Sequence, residues 1–214
     1  MEGRRWPHRT IAKPVPRPSN TQKRRAQIVD GMLTVMAATG YTGASIQAIA
    51  RAAELSPGLL HYHFSSKEQI LLAVLQTIEE NIAARYAARA GNEPAPDQAL
   101  DAWIDAHLTA DSSSDPRLIA CWVQLGALAL QLPTVGDRYR QAIERDTATL
   151  RSIIDAWLQA AGRSSTDESA AIVAALMAAV TGAYQLSLAV PTLTPPGSAA
   201  EMVKRMSAGL LKIR

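Results

Sequence analysis

Ser56-Pro57-Gly58-Leu59-Leu60-His61-Tyr62-His63-Phe64-Ser65-Ser66-Lys67-Glu68 is the stretch that decides the fold. Serine followed by proline is a strong helix start. The hydroxyl caps free backbone N–H groups, and proline at the first helical position forfeits no hydrogen bond. The helix it opens, Pro57 to His63, is about two turns long. Ser65 to Glu68 then reads as a capping box. It opens a long helix with Ile70, Leu71, Val74, Leu75, Ile78 and Ile82 on its buried side, fading near Gly91. Just upstream, Ser45 caps a short helix whose Ile46, Ile49, Ala50 and Ala53 face inward, and a tight turn at Glu54-Leu55 joins the two short helices.

Working outward, Ile28, Met32, Leu33 and Met36 share one face of a first helix from Thr21, which Gly40 stops. Two short helices flanked by longer ones make a helix-turn-helix, whose second helix presents its N-terminal residues to the major groove of DNA. Leu55, Leu60 and Phe64 would fix the angle from beneath. Gln47, His61, Tyr62, His63 and Lys67 stay outside, where amide, imidazole, phenol and ammonium groups suit phosphate or base-edge contacts. Any small three-helix packing unit shares this pattern. An all-helical interaction or scaffold protein without sequence-specific DNA binding therefore stays open as the alternative.

The run from Ile28 through Gly40, then Ser45-Ile46-Gln47-Ala48-Ile49-Ala50, then Ser56 through Glu68, resembles the N-terminal domain of the tetracycline-repressor family over roughly residues 21–70. Tyr62-His63-Phe64 with Lys67 is the most specific part. The resemblance implies a homodimeric repressor on a palindromic operator, released by a small-molecule effector bound in a variable helical C-terminal domain. It implies that Gln47, Pro57, Gly58 and Leu59 meet bases or adjacent backbone, and that His61, Tyr62, His63 and Lys67 hold phosphates. Ser45, capping the edge of that face, is counted with them. Arg24 and Arg25 are further phosphate candidates from their place and charge. Two positions depart from the family pattern. Glu54 stands where the turn usually has glycine, which predicts slight strain, and His61 stands where tyrosine is usual.

Charge fits a polyanionic partner at one end. Of a net charge of +3 over 214 residues, eight bases (Arg4, Arg5, Arg9, Lys13, Arg17, Lys23, Arg24, Arg25) precede Ala26 against Glu2 alone. Acids outnumber bases thereafter. Residues 1–20, with four prolines among the bases, are expected to be a disordered basic tail, either an arm on the DNA or merely solvated. Prolines and bases follow Arg4-Arg5-Trp6, so no cleavable secretory signal is expected. With Cys121 the only cysteine, a reducing cytoplasm is the natural setting.

The periodicity divides the chain into the tail, a helix-turn-helix domain at 21–66, a connecting helix at 67–91, and an effector and dimerisation domain at 92–214. Helices are expected at about 97–110, 115–131, 134–161, 166–190 and 198–211, with caps at Asp115-Pro116, Ser165 to Glu168 and Ser198 to Glu201. No strand pattern or repeat appears, so the class is all-α.

From Ser169 to Val190 there is no charge. A helix apolar all round must be buried, in a core, a membrane or an interface. Thr181, Gln185, Ser187 and the missing basic flanks argue against a membrane. A four-helix dimer seam is the better reading, with Ile172, Leu176, Val180, Tyr184, Met202, Met206 and Leu210 at the interface. Val180 through Leu186 resembles the C-terminal segment of the BetI-like branch of the family. Trp103, His107, Cys121, Trp122, Gln124, Tyr139, Met177 and Tyr184 mix aromatic walls with polar anchors, as effector pockets do, although each taken singly also suits an ordinary core. Ile82 to Arg89 is placed as the lever between domains.

No Gly-x-x-x-x-Gly-Lys loop, Gly-x-Ser-x-Gly elbow or His-Glu-x-x-His motif is present, so neither an enzyme nor a cofactor is expected. Asp97, Asp101 and Asp105 line one helix face but lack the Glu-x-x-His partner of di-metal bundles, and read as a solvated acidic face.

Overall fold

A computed structural model describes residues 20–163, 166–195 and 197–212. Among these the protein is all-α, with nine helices: α1 (Asn20–Gly43), α2 (Ile46–Ala52), α3 (Pro57–His63), α4 (Lys67–Ala90), α5 (Pro96–Leu108), α6 (Pro116–Leu128), α7 (Pro133–Ala160), α8 (Thr166–Ala189) and α9 (Ser198–Lys212). Residues 1–19 of the expected tail and Ser165 lie outside the described residues, while Asn20 opens α1.

Local chemistry sets the boundaries. Ser45 Oγ accepts from Ala48 N at 3.1 Å, and Ser56 Oγ accepts from Leu59 N, with Pro57 at the first helical position. Asp115 caps α6 by accepting from the Arg117 amide at 2.9 Å. Gly40, with φ 76°, breaks the helical path inside α1, where a side chain would be strained. Two expected caps differ. At α4 the cap is Ser66, not Ser65: Ser66 Oγ accepts from Gln69 N at 3.2 Å, so helical geometry starts one residue later. At α9 Ser198 is already the first helical residue, and its hydroxyl donates to the Pro195 carbonyl at 2.7 Å.

Two apolar cores organise the bundle. The first gathers Ile28, Met32 and Met36 of α1, Ile49 of α2, Leu60 of α3 and Ile70, Leu71 and Leu75 of α4. It also takes Cys121 and Leu125 of α6 and Val135 of α7, so packing does not divide at the 92–95 linker. Three side chains one helical turn apart dock α6 onto α1. Arg117 donates to Asp30 at 2.9 Å and to Thr34 at 2.7 Å; the Cys121 thiol points at the Leu33 carbonyl; Gln124 Nε2 donates to the Met36 carbonyl at 3.0 Å. Gly31 lets α1 and α2 meet closely, since a Cβ there would lie 2.8 Å from the Ile49 carbonyl oxygen and 3.0 Å from the Ala53 side chain.

The second core joins Trp103 and Ile104 of α5, Leu150 and Ile154 of α7, Leu176 of α8 and Val203 and Leu211 of α9. By length and composition α8 could cross a membrane, yet it buries Ile172, Val173, Leu176, Val180 and Tyr184 in this core. The acidic face on α5 is not uniformly solvated. Asp97 and Asp101 are exposed, but Asp105 is half-buried and accepts from Lys204 Nζ at 2.7 Å.

Candidate nucleic-acid interface and ligand cavity

The α2–α3 pair stands on the first core with its outer face free. Gln47, Pro57, Gly58, His61 and Tyr62 are exposed, Tyr62 to 80%. Ser45 is exposed at the edge, while Leu59 and His63 are half-buried. The Tyr62 and His63 rings meet edge-on with centres 5.0 Å apart, which fixes their directions. Glu54 adopts φ 54° in the turn, the left-handed conformation expected to strain a residue other than glycine.

The cations flanking this face divide into free and engaged groups. Arg24 is half-buried and donates to its neighbour Gln27 at 3.0 Å. Arg25 folds back instead, donating to the His63 carbonyl with its guanidinium 3.9 Å above the Phe64 ring. That ties α1 to the end of α3. The Lys67 ammonium is half-buried, donates to the Tyr41 carbonyl at 2.8 Å and lies 3.7 Å from the Tyr41 ring centre. Burial lowers its pKa from the ordinary lysine value. One of its three donors is occupied by the protein itself.

In the second half a cavity of about 240 Å³ opens between α4, α5, α6, α7 and α8. Five of the eight expected residues line it: Trp103, His107, Trp122, Met177 and Tyr184. The other three do not. Cys121 and Gln124 lie on the face of α6 turned toward α1, and Tyr139 packs behind Trp122 with ring centres 4.7 Å apart. Tyr86 adds another aromatic wall.

Of the polar groups of the cavity, His107 was expected, whereas Asp146 and Glu79 were not. Asp146 of α7 accepts from Trp103 Nε1 at 3.0 Å and faces His107 Nε2 at 3.1 Å, while His107 Nδ1 faces the Trp103 carbonyl at 2.9 Å. A carbonyl and a carboxylate both accept. The His107 ring thus bridges two acceptors, one on α5 and one on α7. Burial, reinforced by the Asp146 charge, pushes the Tyr184 phenol far above its ordinary range, so it stays a neutral wall. On α4, Glu79 pairs with both Arg138 and Arg145 of α7 at the cavity edge. A signal for Asp146 did exist. It occupies the stripe of Ala142, Leu150 and Ile153, where the helical period calls for an apolar residue.

Of the expected dimer contacts, Ile172, Leu176, Val180 and Tyr184 are buried in the protomer's own second core. The expected Met202 and Met206 on α9 are exposed and Leu210 is half-buried, and Leu186, Leu188 and Val190 at the end of α8 add further exposed apolar groups. With every position from Ser169 to Val190 uncharged, the period cannot say which stripe of α8 faces inward. Among the described residues no cluster of three or more metal-ligating side chains occurs.

Comparison with known proteins places both halves. Residues 28–74 match the model for bacterial regulatory proteins of the tetR family, and residues 96–212 match the BetI-type transcriptional repressor C-terminal model. The regulator BetI of Rhizobium meliloti (strain 1021) is 32% identical over 105 residues, covering 47% of this chain and 49% of that protein. The regulator UidR of Escherichia coli (strain K12) is 31% identical over 68 residues, covering 32% and 35%. The chain thus spans about half the length or less of these curated relatives. The folds agree over nearly the full length. A Rhodococcus sp. Rha1 transcriptional regulator superposes with TM-score 0.73 at 23% identity, covering 88% of this chain and 96% of that one. A putative transcriptional regulator from Saccharomonospora viridis, solved in complex with choline, gives 0.72 at 21% identity, covering 89% and 96%.

Proposed function

The chain belongs to the tetR family of bacterial regulatory proteins, with a BetI-type C-terminal half, and from that premise we propose that it is a cytoplasmic transcriptional repressor. It binds a palindromic operator as a homodimer and is released by a small molecule in the α4–α8 cavity. The observation that carries this reading is the α2–α3 face, where Gln47, His61 and Tyr62 project from a fully packed core. Side chains held at fixed angles on a rigid base suit base-edge and phosphate contacts. Residues 21–66 read the DNA, α4 connects, and residues 92–214 sense and dimerise. Exposed Leu186, Leu188, Val190, Met202 and Met206 supply the apolar seam for a second copy.

The cavity favours an effector bearing a cationic group. Trp103, Trp122, Tyr86 and Tyr184 offer π faces that attract cations. Glu79 at the edge is taken by Arg138 and Arg145, which leaves Asp146 as the carboxylate that faces the aromatic walls. The choline bound to the S. viridis regulator is a cation of this kind and supports the reading. An effector that prefers the DNA-incompetent arrangement shifts the dimer toward it.

Selection of bound duplexes from a random DNA library tests the operator reading. Enrichment of a palindrome with half-sites about 10 base pairs apart, or a multiple, supports a symmetric DNA-reading dimer. No enrichment at low salt would turn the α2–α3 unit into a protein-packing surface.

A further inference from the structure

Next to the main cavity lies a smaller recess of about 30 Å³, and the two share Ile82, His107, Trp122 and Tyr184 as walls. Arg85 of α4 lines the recess. It is buried, with only 8% of its surface exposed. Its Nη2 donates to two carbonyl oxygens at the end of α5, Asp105 (3.3 Å) and Thr109, while its Nε–H has no partner. The carboxylates whose charges it feels are taken by other cations. Asp111 pairs with Arg89, and Asp105 pairs with Lys204. Arg85 is thus a buried cation whose own hydrogen bonds go to neutral acceptors, with one donor unused, while Asp115, the carboxylate lining the recess, is paired with Arg117. A buried charge without a counter-charge is costly, and the cost is relieved by an anion. The recess is large enough for a carboxylate-sized group beside the ring of His107.

We propose that the effector is zwitterionic: its cationic group sits among Trp103, Trp122 and Asp146, and its carboxylate reaches past His107 into the recess to accept from Arg85. This rests on the cavity being the effector site, as proposed above. It adds a second pole that the aromatic walls do not require. It also gives the ligand a direct grip on α4, the helix that begins at the DNA-reading face, through an arginine whose present bonds hold α4 to the end of α5.

The test is calorimetric titration of the full-length protein with three probes of like size: tetramethylammonium, trimethylammonioacetate, and uncharged-headed 3,3-dimethylbutanoate. Expected is trimethylammonioacetate tighter than either single-pole probe by about tenfold or more, the scale of a charge-assisted hydrogen bond. Arg85→Met should erase its advantage over tetramethylammonium while leaving tetramethylammonium binding intact, which also shows the variant to be folded. Equal binding of tetramethylammonium and trimethylammonioacetate to the unsubstituted protein, or a preference that survives Arg85→Met, overturns the carboxylate assignment and leaves the cation site standing. Binding of dimethylbutanoate alone, or of no probe, overturns the cationic reading of the cavity and this inference with it. Should Arg85→Met fail to fold, the probe order on the unsubstituted protein decides the matter.

Discussion

Lys67 at the start of α4 reaches across to α1, its ammonium 2.8 Å from the Tyr41 carbonyl oxygen and 3.7 Å from the centre of the Tyr41 ring. The side chain therefore joins two helices before any DNA is present. Lys67→Ala should destabilise the free protein by about 1–2 kcal/mol, from a charge-assisted hydrogen bond and a partly exposed cation–π contact. If the ammonium also holds a phosphate in the complex, the slope of log affinity against log salt flattens by about one per half-site, or about two per dimer. Thermal melts and salt titrations separate the roles. An unchanged slope leaves Lys67 as a strut alone.

Gln47 projects from α2 into solvent, and its amide suits a bidentate match to adenine. Gln47→Ala should relax the preference at one operator position by about 1–3 kcal/mol while other positions keep theirs. Competition binding on single-substituted duplexes reads this directly; uniform weakening on every duplex would count against base contact.

The two faces of α8 and α9 call for opposite outcomes. Met206→Glu places a charge on the exposed apolar surface. Sedimentation should find monomer with unchanged helical content. Leu176→Ala opens a hole in the core and should cost about 2–5 kcal/mol of folding stability. A Met206→Glu protein that stays dimeric would place the seam elsewhere.

Asp146→Asn keeps the shape and the acceptor for Trp103 Nε1 but removes the charge. Titration with tetramethylammonium should then show affinity reduced by about tenfold or more. Unaltered affinity would mean that the aromatic walls alone hold the cation.

Burial pushes the Cys121 thiol up to about 12. Native protein at pH 8 should resist alkylation, reacting only as it unfolds. A thiol pKa higher in the folded than in the unfolded chain means stability is intact below the unfolded value, near 8.5, and declines as pH rises toward about 12. Denaturant melts across that window should show the decline in the unsubstituted protein and less of it in Cys121→Ala. Rapid labelling of the folded form at pH 8 would contradict the burial.

What was legible in the sequence follows from where the physics is local. Ser45, Ser56-Pro57 and Asp115-Pro116 announce helices through bonds a few residues long, and those starts appear where the sequence places them. The aromatic half of the cavity was also legible, because Trp103, His107 and Trp122 combine aromatic walls with a polar anchor. Its charged half was not. Asp146 becomes a ligand candidate only because α7 brings it against α5, and Glu79 only because α4 crosses two arginines of α7. Nor could a charge-free helix declare its inward side, so Ile172 and Leu176 face the core while Leu186 and Leu188 of the same helix are exposed.

The docking of α6 onto α1 bears on how such a protein could be recombined. Arg117, Cys121 and Gln124 reach Asp30, Leu33 and Met36, and the first core continues into Leu125 and Val135. A chimera that joins residues 20–91 to a foreign sensor would strip that helix from its seat and bare apolar surface. A graft carrying a matched α6 would not. The unit of inheritance for operator choice is therefore larger than the segment that touches the operator, and swaps of specificity must cut through the sensor rather than beside it.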